Sequence, residues 1–224
     1  MQKRTAMSAN PILAARSPRD EQLNFATHFS AAILTLIAAV PLCLIAFRRG
    51  EWRASLGCAA FLSTLFAVYV SSSMSHRVTQ PVWQQRWRML DQGFIYLLIV
   101  GSYTPFSLMY LGHGWWPLPL VLMWIAALTG FVSKIGFGFQ INRVSIALYL
   151  LLGWFPAITA LEAAKQMPRS PLVWVLIGGL FYTLGAAFLL LEKRRPWFHA
   201  VWHLFVVAGS AAHYWAIYCC VSIR

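Results

Sequence analysis

An all-α bundle of seven membrane-spanning helices is the architecture this 224-residue sequence predicts. Three observations carry it: 59% of the residues are apolar, only 11% are charged, and the charges divide the chain into long uncharged stretches. A soluble domain carries roughly 45–50% apolar and about 25% charged residues, so a soluble globular fold is excluded. Seven crossings of about 20 residues each leave only two tails and short connections, too little for a soluble domain of any size.

The elements follow in order from the N-terminus. Residues 1 to 20 read as a flexible cytosolic tail with Lys3, Arg4, Arg16 and Arg19. Its apolar piece, Pro11 to Ala15, is too short for the core of a signal peptide. Residues 21 to 224 form the transmembrane domain. Its spans are delimited by the stretches without Lys, Arg, Asp or Glu, because a charge at the bilayer centre costs roughly 2.5–3.5 kcal/mol even on the lenient insertion scale. The first two spans are Asn24 to Phe47 and Ala54 to His76. The next uncharged stretch, Gln92 to Ser133, is twice the length of one crossing and holds the turn signal Gly112-His113-Gly114-Trp115-Trp116-Pro117, so it is two helices joined by a tight hairpin. Val144 to Leu161, Ser170 to Leu191 and Pro196 to Ile223 complete the seven. Pro41, Pro105 and Pro156 predict local kinks, which neighbouring helices can accommodate.

Positive charge sets the direction of threading. With the N-terminus inside, 12 of the 18 Lys and Arg residues fall on inner segments. That bias predicts a cytosolic N-terminus and an outer C-terminus. The net charge of +12 in so apolar a chain points to anionic lipid headgroups and away from nucleic acid. The basic aromatic stretch Val82 to Arg88 accordingly reads as interfacial anchoring. Cys43, Cys58, Cys219 and Cys220 lie in apolar runs without CxxC spacing and read as small membrane-buried residues.

Depth is the informative property of the polar residues. In this threading Glu21, Asn24, Thr27, His28, Ser71, Ser72, Ser73, His76, Asp91, His199 and His203 all reach the inner leaflet. His199 and His203 are four residues apart, which places them on one helix face about 6 Å apart in rise. Ser72 and His76 have the same spacing on the second span. Three imidazoles from two helices would leave one tetrahedral position of Zn²⁺ open for water, as in a catalytic site. Asp91 is the candidate counter-charge and proton acceptor. Taken singly these residues have plainer readings: the His pair as a polar contact, Asp91 as a cap of the third helix, Ser71 and Ser73 as packing residues, and His28 as a helix-start or secondary contact. Their shared depth favours a metal. His213 lies roughly 15 Å deeper than His203 and reads as a buried hydrogen-bonding group.

Three blocks, EQLNFATHFS (Glu21 to Ser30), SSSMSHRV with LDQGFIYLLIVGSYTPF (Ser71 to Phe106), and FHAVWHLFVVAGSAAHYWAIY (Phe198 to Tyr218), resemble the bacterial hemolysin III family and, more widely, the PAQR superfamily of progestin and adiponectin receptors. The resemblance implies zinc near the cytosolic face bound by His76, His199 and His203, with Ser72 and Asp91 beside a zinc-bound water, and an inward N-terminus. The chain departs from relatives at Gln92 and Gly93, and it lacks the receptors' large N-terminal domain. Eukaryotic relatives resemble ceramide amidases, which implies a zinc-dependent hydrolase acting on a membrane lipid amide or ester, with Asp91 as base and Ser72 as orienting group. A non-enzymatic regulator or sensor of membrane lipid state or energetics is the alternative, and a pore-forming cytolysin is a third. A membrane lipid is the expected substrate or ligand; the oligomeric state stays open.

Overall fold

The computed structural model describes residues 17–137 and 143–222. The predicted tail falls outside these residues up to position 16; within them, helix α1 already begins at Pro18. Helix α1 spans Pro18–Arg48, α2 Trp52–Arg77, α3 Pro81–Tyr110 and α4 Pro117–Phe137. Helix α5 covers Arg143–Trp154, a 3₁₀ turn Phe155–Thr159, α6 Ala160–Gln166, α7 Arg169–Leu191 and α8 Phe198–Ser222. Among the described residues there is no strand, and seven helical segments are long and apolar enough to cross a membrane. The fifth of these is α5, the 3₁₀ turn and α6 in succession, Arg143–Gln166.

Local chemistry explains the boundaries. Ser17 caps α1 through a capping box: its hydroxyl accepts from the Asp20 N–H at 3.2 Å while the Asp20 carboxylate accepts the Ser17 N–H at 3.0 Å. Pro18 follows at the first helical position, where its missing donor costs nothing. The α1–α2 and α3–α4 turns each place a glycine at positive φ, Gly50 at 68° and Gly114 at 55°. Pro156 interrupts the fifth crossing in the 3₁₀ turn, whereas Pro41 and Pro105 lie inside continuous helices.

The start of α3 corrects one sequence expectation. Val82 to Arg88 belongs to the first turns of this helix, with the Arg86 guanidinium 4.7 Å from the centre of the Trp83 ring. Asp91 therefore sits well inside α3 and cannot cap it. Uncharged windows measure the lipid-embedded part of a helix, and α3 continues beyond it because cations on long stems remain solvated at the interface.

Large aliphatic side chains such as Leu34, Ile37, Val40, Leu151 and Leu180 point outward. The buried set includes many alanines, serines, threonines and tyrosines. An outward apolar face of this extent needs a lipid solvent; the chain is a multi-pass membrane protein. Small residues let the backbones approach: a Cβ on Gly57 would lie 2.6 Å from the Cα of Pro105, so α2 and α3 meet at a glycine. Helix α8 is tied back to α1 by the Tyr214 hydroxyl donating to Ala38 O at 2.9 Å and by Arg49 donating to Cys220 O at 2.8 Å. The first, second and last helices thus pack together. Their opposite ends, the N-termini of α1 and α8 and the C-terminus of α2, carry the polar cluster.

Candidate metal centre

The i, i+4 spacing of His199 and His203 puts both rings on the inner face of α8, where they meet His76 from the last turn of α2. The ring centres lie 4.6 Å apart for His199 and His203, 5.1 Å for His76 and His199, and 5.2 Å for His76 and His203. One ligand atom from each ring falls within 4.8 Å of the others, and all three residues are buried. Nitrogens around one tetrahedral ion stand about 3.3 Å apart, so closing the set onto a metal needs a shift of less than about 1 Å per ring. The three histidines can hold a metal ion.

Carboxylates orient two of the rings. His76 Nδ1 is 2.5 Å from a Glu21 oxygen on α1, and His199 Nδ1 is 2.7 Å from a Glu192 oxygen just beyond α7. An Nδ1–H donated to a carboxylate places the lone pair on Nε2, fixes the ring orientation and raises its basicity, the relation found behind metal-bound histidines. Two carboxylates also supply the negative charge that a divalent cation among three neutral imidazoles requires. The chain has only six acidic residues, so the placement of two of them here is informative.

The serine run separates into two kinds of residue. Ser71, Ser73 and Ser75 each donate to a carbonyl of their own helix, whereas the Ser72 hydroxyl, on a 1% exposed residue, has no hydrogen-bond partner. Four residues before His76, it is the serine left available for chemistry. His28 lies face to face with His203, ring centres 3.7 Å apart, and neither of its nitrogens has a hydrogen-bond partner. It is therefore a wall of the cluster and not a helix-start residue. Asn24, one turn earlier on α1, is 1% exposed and its amide atoms likewise have none. Buried, unsatisfied polar atoms cost about 1–3 kcal/mol each, and at a histidine cluster they fit a site built around a polar guest.

Asp91 does not join the three-histidine group. It is half-buried on α3, within electrostatic reach of Tyr149, whose hydroxyl donates to Gln92 O at 2.8 Å. Glu21 and Glu192 lie within hydrogen-bond distance of two of the histidines, a role the sequence reading had given to neither. Glu192 went unread in the sequence because it stands in the charged run Glu192-Lys193-Arg194-Arg195 that ends a span. Its signal was the seven-residue spacing to His199, meaningful only once the turn before α8 folds back. His213 is far from the cluster and hydrogen-bonds Val175 O at 3.2 Å. If the cluster holds a metal ion, Glu21→Gln and Glu192→Gln are each expected to weaken its binding by about 10–100-fold, read by competition with a chromophoric chelator. An unchanged affinity in both variants would show the two contacts to be ordinary ion pairs.

Comparison with known proteins places this geometry in a family. The model of the family described as "Haemolysin-III related" matches residues 17–214. The chain is 33% identical to "Hemolysin-3" of Bacillus cereus, covering 89% of this chain and 90% of the relative. It is 31% identical to "Hemolysin-3 homolog" of Bacillus subtilis, covering 92% and 96%. It is also 32% identical to the human "Monocyte to macrophage differentiation factor", over 75% of this chain and 68% of that protein. The "Adiponectin receptor protein" of Drosophila melanogaster is a more distant relative, 26% identical over 57% of this chain and 34% of its own length. No solved structure matches significantly. The chain belongs to the haemolysin III family, with relatives among the PAQR-type membrane proteins.

Proposed function

We propose that the protein is a zinc-dependent hydrolase of a membrane lipid amide or ester, working from the cytosolic leaflet of a bacterial plasma membrane. The observation that carries this reading is the trio of buried histidines, two of them turned by carboxylates. Three nitrogen donors favour zinc among common divalent ions and leave one position open, the pattern of catalytic sites. Zinc bound there would lower the pKa of a coordinated water to about 7 and polarise a carbonyl. The chain's own groups have distinct tasks. His76, His199 and His203 hold the ion, and Glu21 and Glu192 keep two of those rings in the ligating tautomer. Ser72 donates a hydrogen bond towards the reacting oxygen, and Asp91 accepts a proton from the edge of the site. The lipid arrives laterally, so its acyl chain stays among the outward aliphatic side chains.

The orientation follows the charges. Arg77, Arg86, Arg88, Lys134, Arg143 and Lys193 to Arg195 flank the histidine end, which supports a cytosolic placement of that end. Alkaline phosphatase fused after Arg224 is expected to be active and the same enzyme fused at the N-terminus inactive. The reverse pattern would move the site to the outer leaflet.

The test of function is metal analysis of detergent-purified protein, followed by fatty-acid release from mixed micelles of fluorescent N-acyl and O-acyl lipids. About one zinc per chain and release that stops on chelation support the proposal. Protein that purifies without zinc and takes none up overturns it. A second reading, a non-enzymatic regulator in which the ion would clamp α2 to α8, draws on the three histidines coming from these two helices. The printed name of the Bacillus cereus relative suggests lysis, but permanently apolar spans offer no soluble form for a toxin. Dye-leakage from liposomes carrying the purified protein separates that possibility.

A further inference from the structure

Glu21, Asn24 and His28 lie three and four residues apart on α1, so they share one face of the helix. Both ends of this short row touch the histidine cluster: Glu21 holds His76, and His28 stacks on His203. Asn24 is enclosed between them at 1% exposure, and both its carboxamide oxygen and its nitrogen lack hydrogen-bond partners. Several neighbouring polar residues satisfy themselves locally. Thr27 donates to Leu23 O, and Ser71, Ser73 and Ser75 satisfy themselves on their own helix. Asn24 has no such outlet, because a carboxamide in a helix interior reaches its own backbone poorly.

We propose that Asn24 is a specificity-determining residue whose carboxamide oxygen accepts a hydrogen bond from the N–H of an acyl amide head seated at the histidine cluster. The inference rests on the lipid-hydrolase reading and narrows it. The carboxamide oxygen is an acceptor, and a trans secondary amide presents its N–H on the side opposite its carbonyl, so the N–H can meet Asn24 while the carbonyl faces away from it. An ester has no N–H, so it leaves the Asn24 oxygen buried and unpaired. A site built to hydrogen-bond an N–H rejects analogues lacking it far more strongly than an apolar pocket does. Amides are therefore favoured over esters of the same chain length, and Asn24 is the source of that preference.

The test uses zinc-loaded protein in detergent and two probes with 12-carbon chains, dodecanohydroxamic acid and dodecanoic acid. The hydroxamate carries both a carbonyl and an N–H, and the carboxylate has acceptors only. Asn24→Leu, of similar volume, is expected to keep about one zinc, to bind the hydroxamate about tenfold or more weakly, and to bind the carboxylate with a smaller loss. It is also expected to melt about 3 °C higher, because an unsatisfied buried amide is replaced by an apolar group. A purely structural asparagine would move the melting point downwards instead. Hydroxamate affinity equal to that of the parent overturns the role of Asn24 and leaves the metal reading intact. A variant that melts lower, or that loses zinc, overturns it as well, by showing that Asn24 supports the fold. Parent protein without zinc overturns the hydrolase reading and this inference together.

Discussion

Purified His203→Ala is expected to lose stoichiometric zinc, with affinity at least about 100-fold below that of the parent. His203 is 1% exposed and central to the cluster, with His76, His199 and His28 all within ring contact. Its removal leaves two imidazoles, one on α2 and one on α8, and two donors do not complete a buried site. Orienting partners of metal ligands are worth about 10–100-fold in affinity, so a ligand itself is worth no less than the upper end of that range. The loss also shows as stability. An ion present at 1,000 times its dissociation constant adds about 4 kcal/mol to the folded state. The parent should accordingly melt lower after chelation, and His203→Ala should melt at one temperature with or without chelator. His213→Ala is the control: it lies on the same helix and is buried, but its hydrogen bond goes to Val175, away from the cluster. It should keep zinc. If His203→Ala retains a full equivalent, the metal assignment fails.

Asp91→Asn separates the two readings of function. The hydrolase reading predicts folded protein with a full zinc complement and turnover lower by about 10²–10⁴, the range for losing a general base. The regulator reading predicts no functional loss. The comparison is interpretable because of where α3 begins. Asp91 is well inside the helix that starts at Pro81, so exchanging its carboxylate for an amide of the same shape removes no cap. The nearby contact from the Tyr149 hydroxyl to Gln92 O uses the backbone and survives the change. Turnover at the parent rate in zinc-loaded Asp91→Asn would remove the base assigned here.

The parts of this site legible in the sequence were those encoded by local spacing. His199 with His203, and Ser72 with His76, each repeat at four residues, and a helix brings such pairs to one side whatever surrounds it. Threading by charge then put them at one depth. The illegible parts depend on contacts between distant segments. Glu192 reaches His199 only through the turn between α7 and α8. Glu21 reaches His76 across the α1–α2 packing, and the face-to-face arrangement of His28 on His203 joins the first helix to the last. The number of crossings was readable from composition, whereas kinks were expected alike at Pro41, Pro105 and Pro156, and of these three Pro156 is the one that lies in a break between helices. The true start of α3 was not readable, because a helix can leave the lipid without ending, and the charges that mark the lipid boundary say nothing of where hydrogen bonding stops.

The packing of the first, second and last helices also bears on biogenesis. Two of the three clustered imidazoles reside on α8, so a nascent polypeptide emerging from the translocon carries an incomplete ligand set until its final segment has inserted. Capture of an ion by all three histidines would thus come only after α8 has been made. Occupancy of such a centre would then distinguish chains that have inserted α8 from chains stalled or degraded before it.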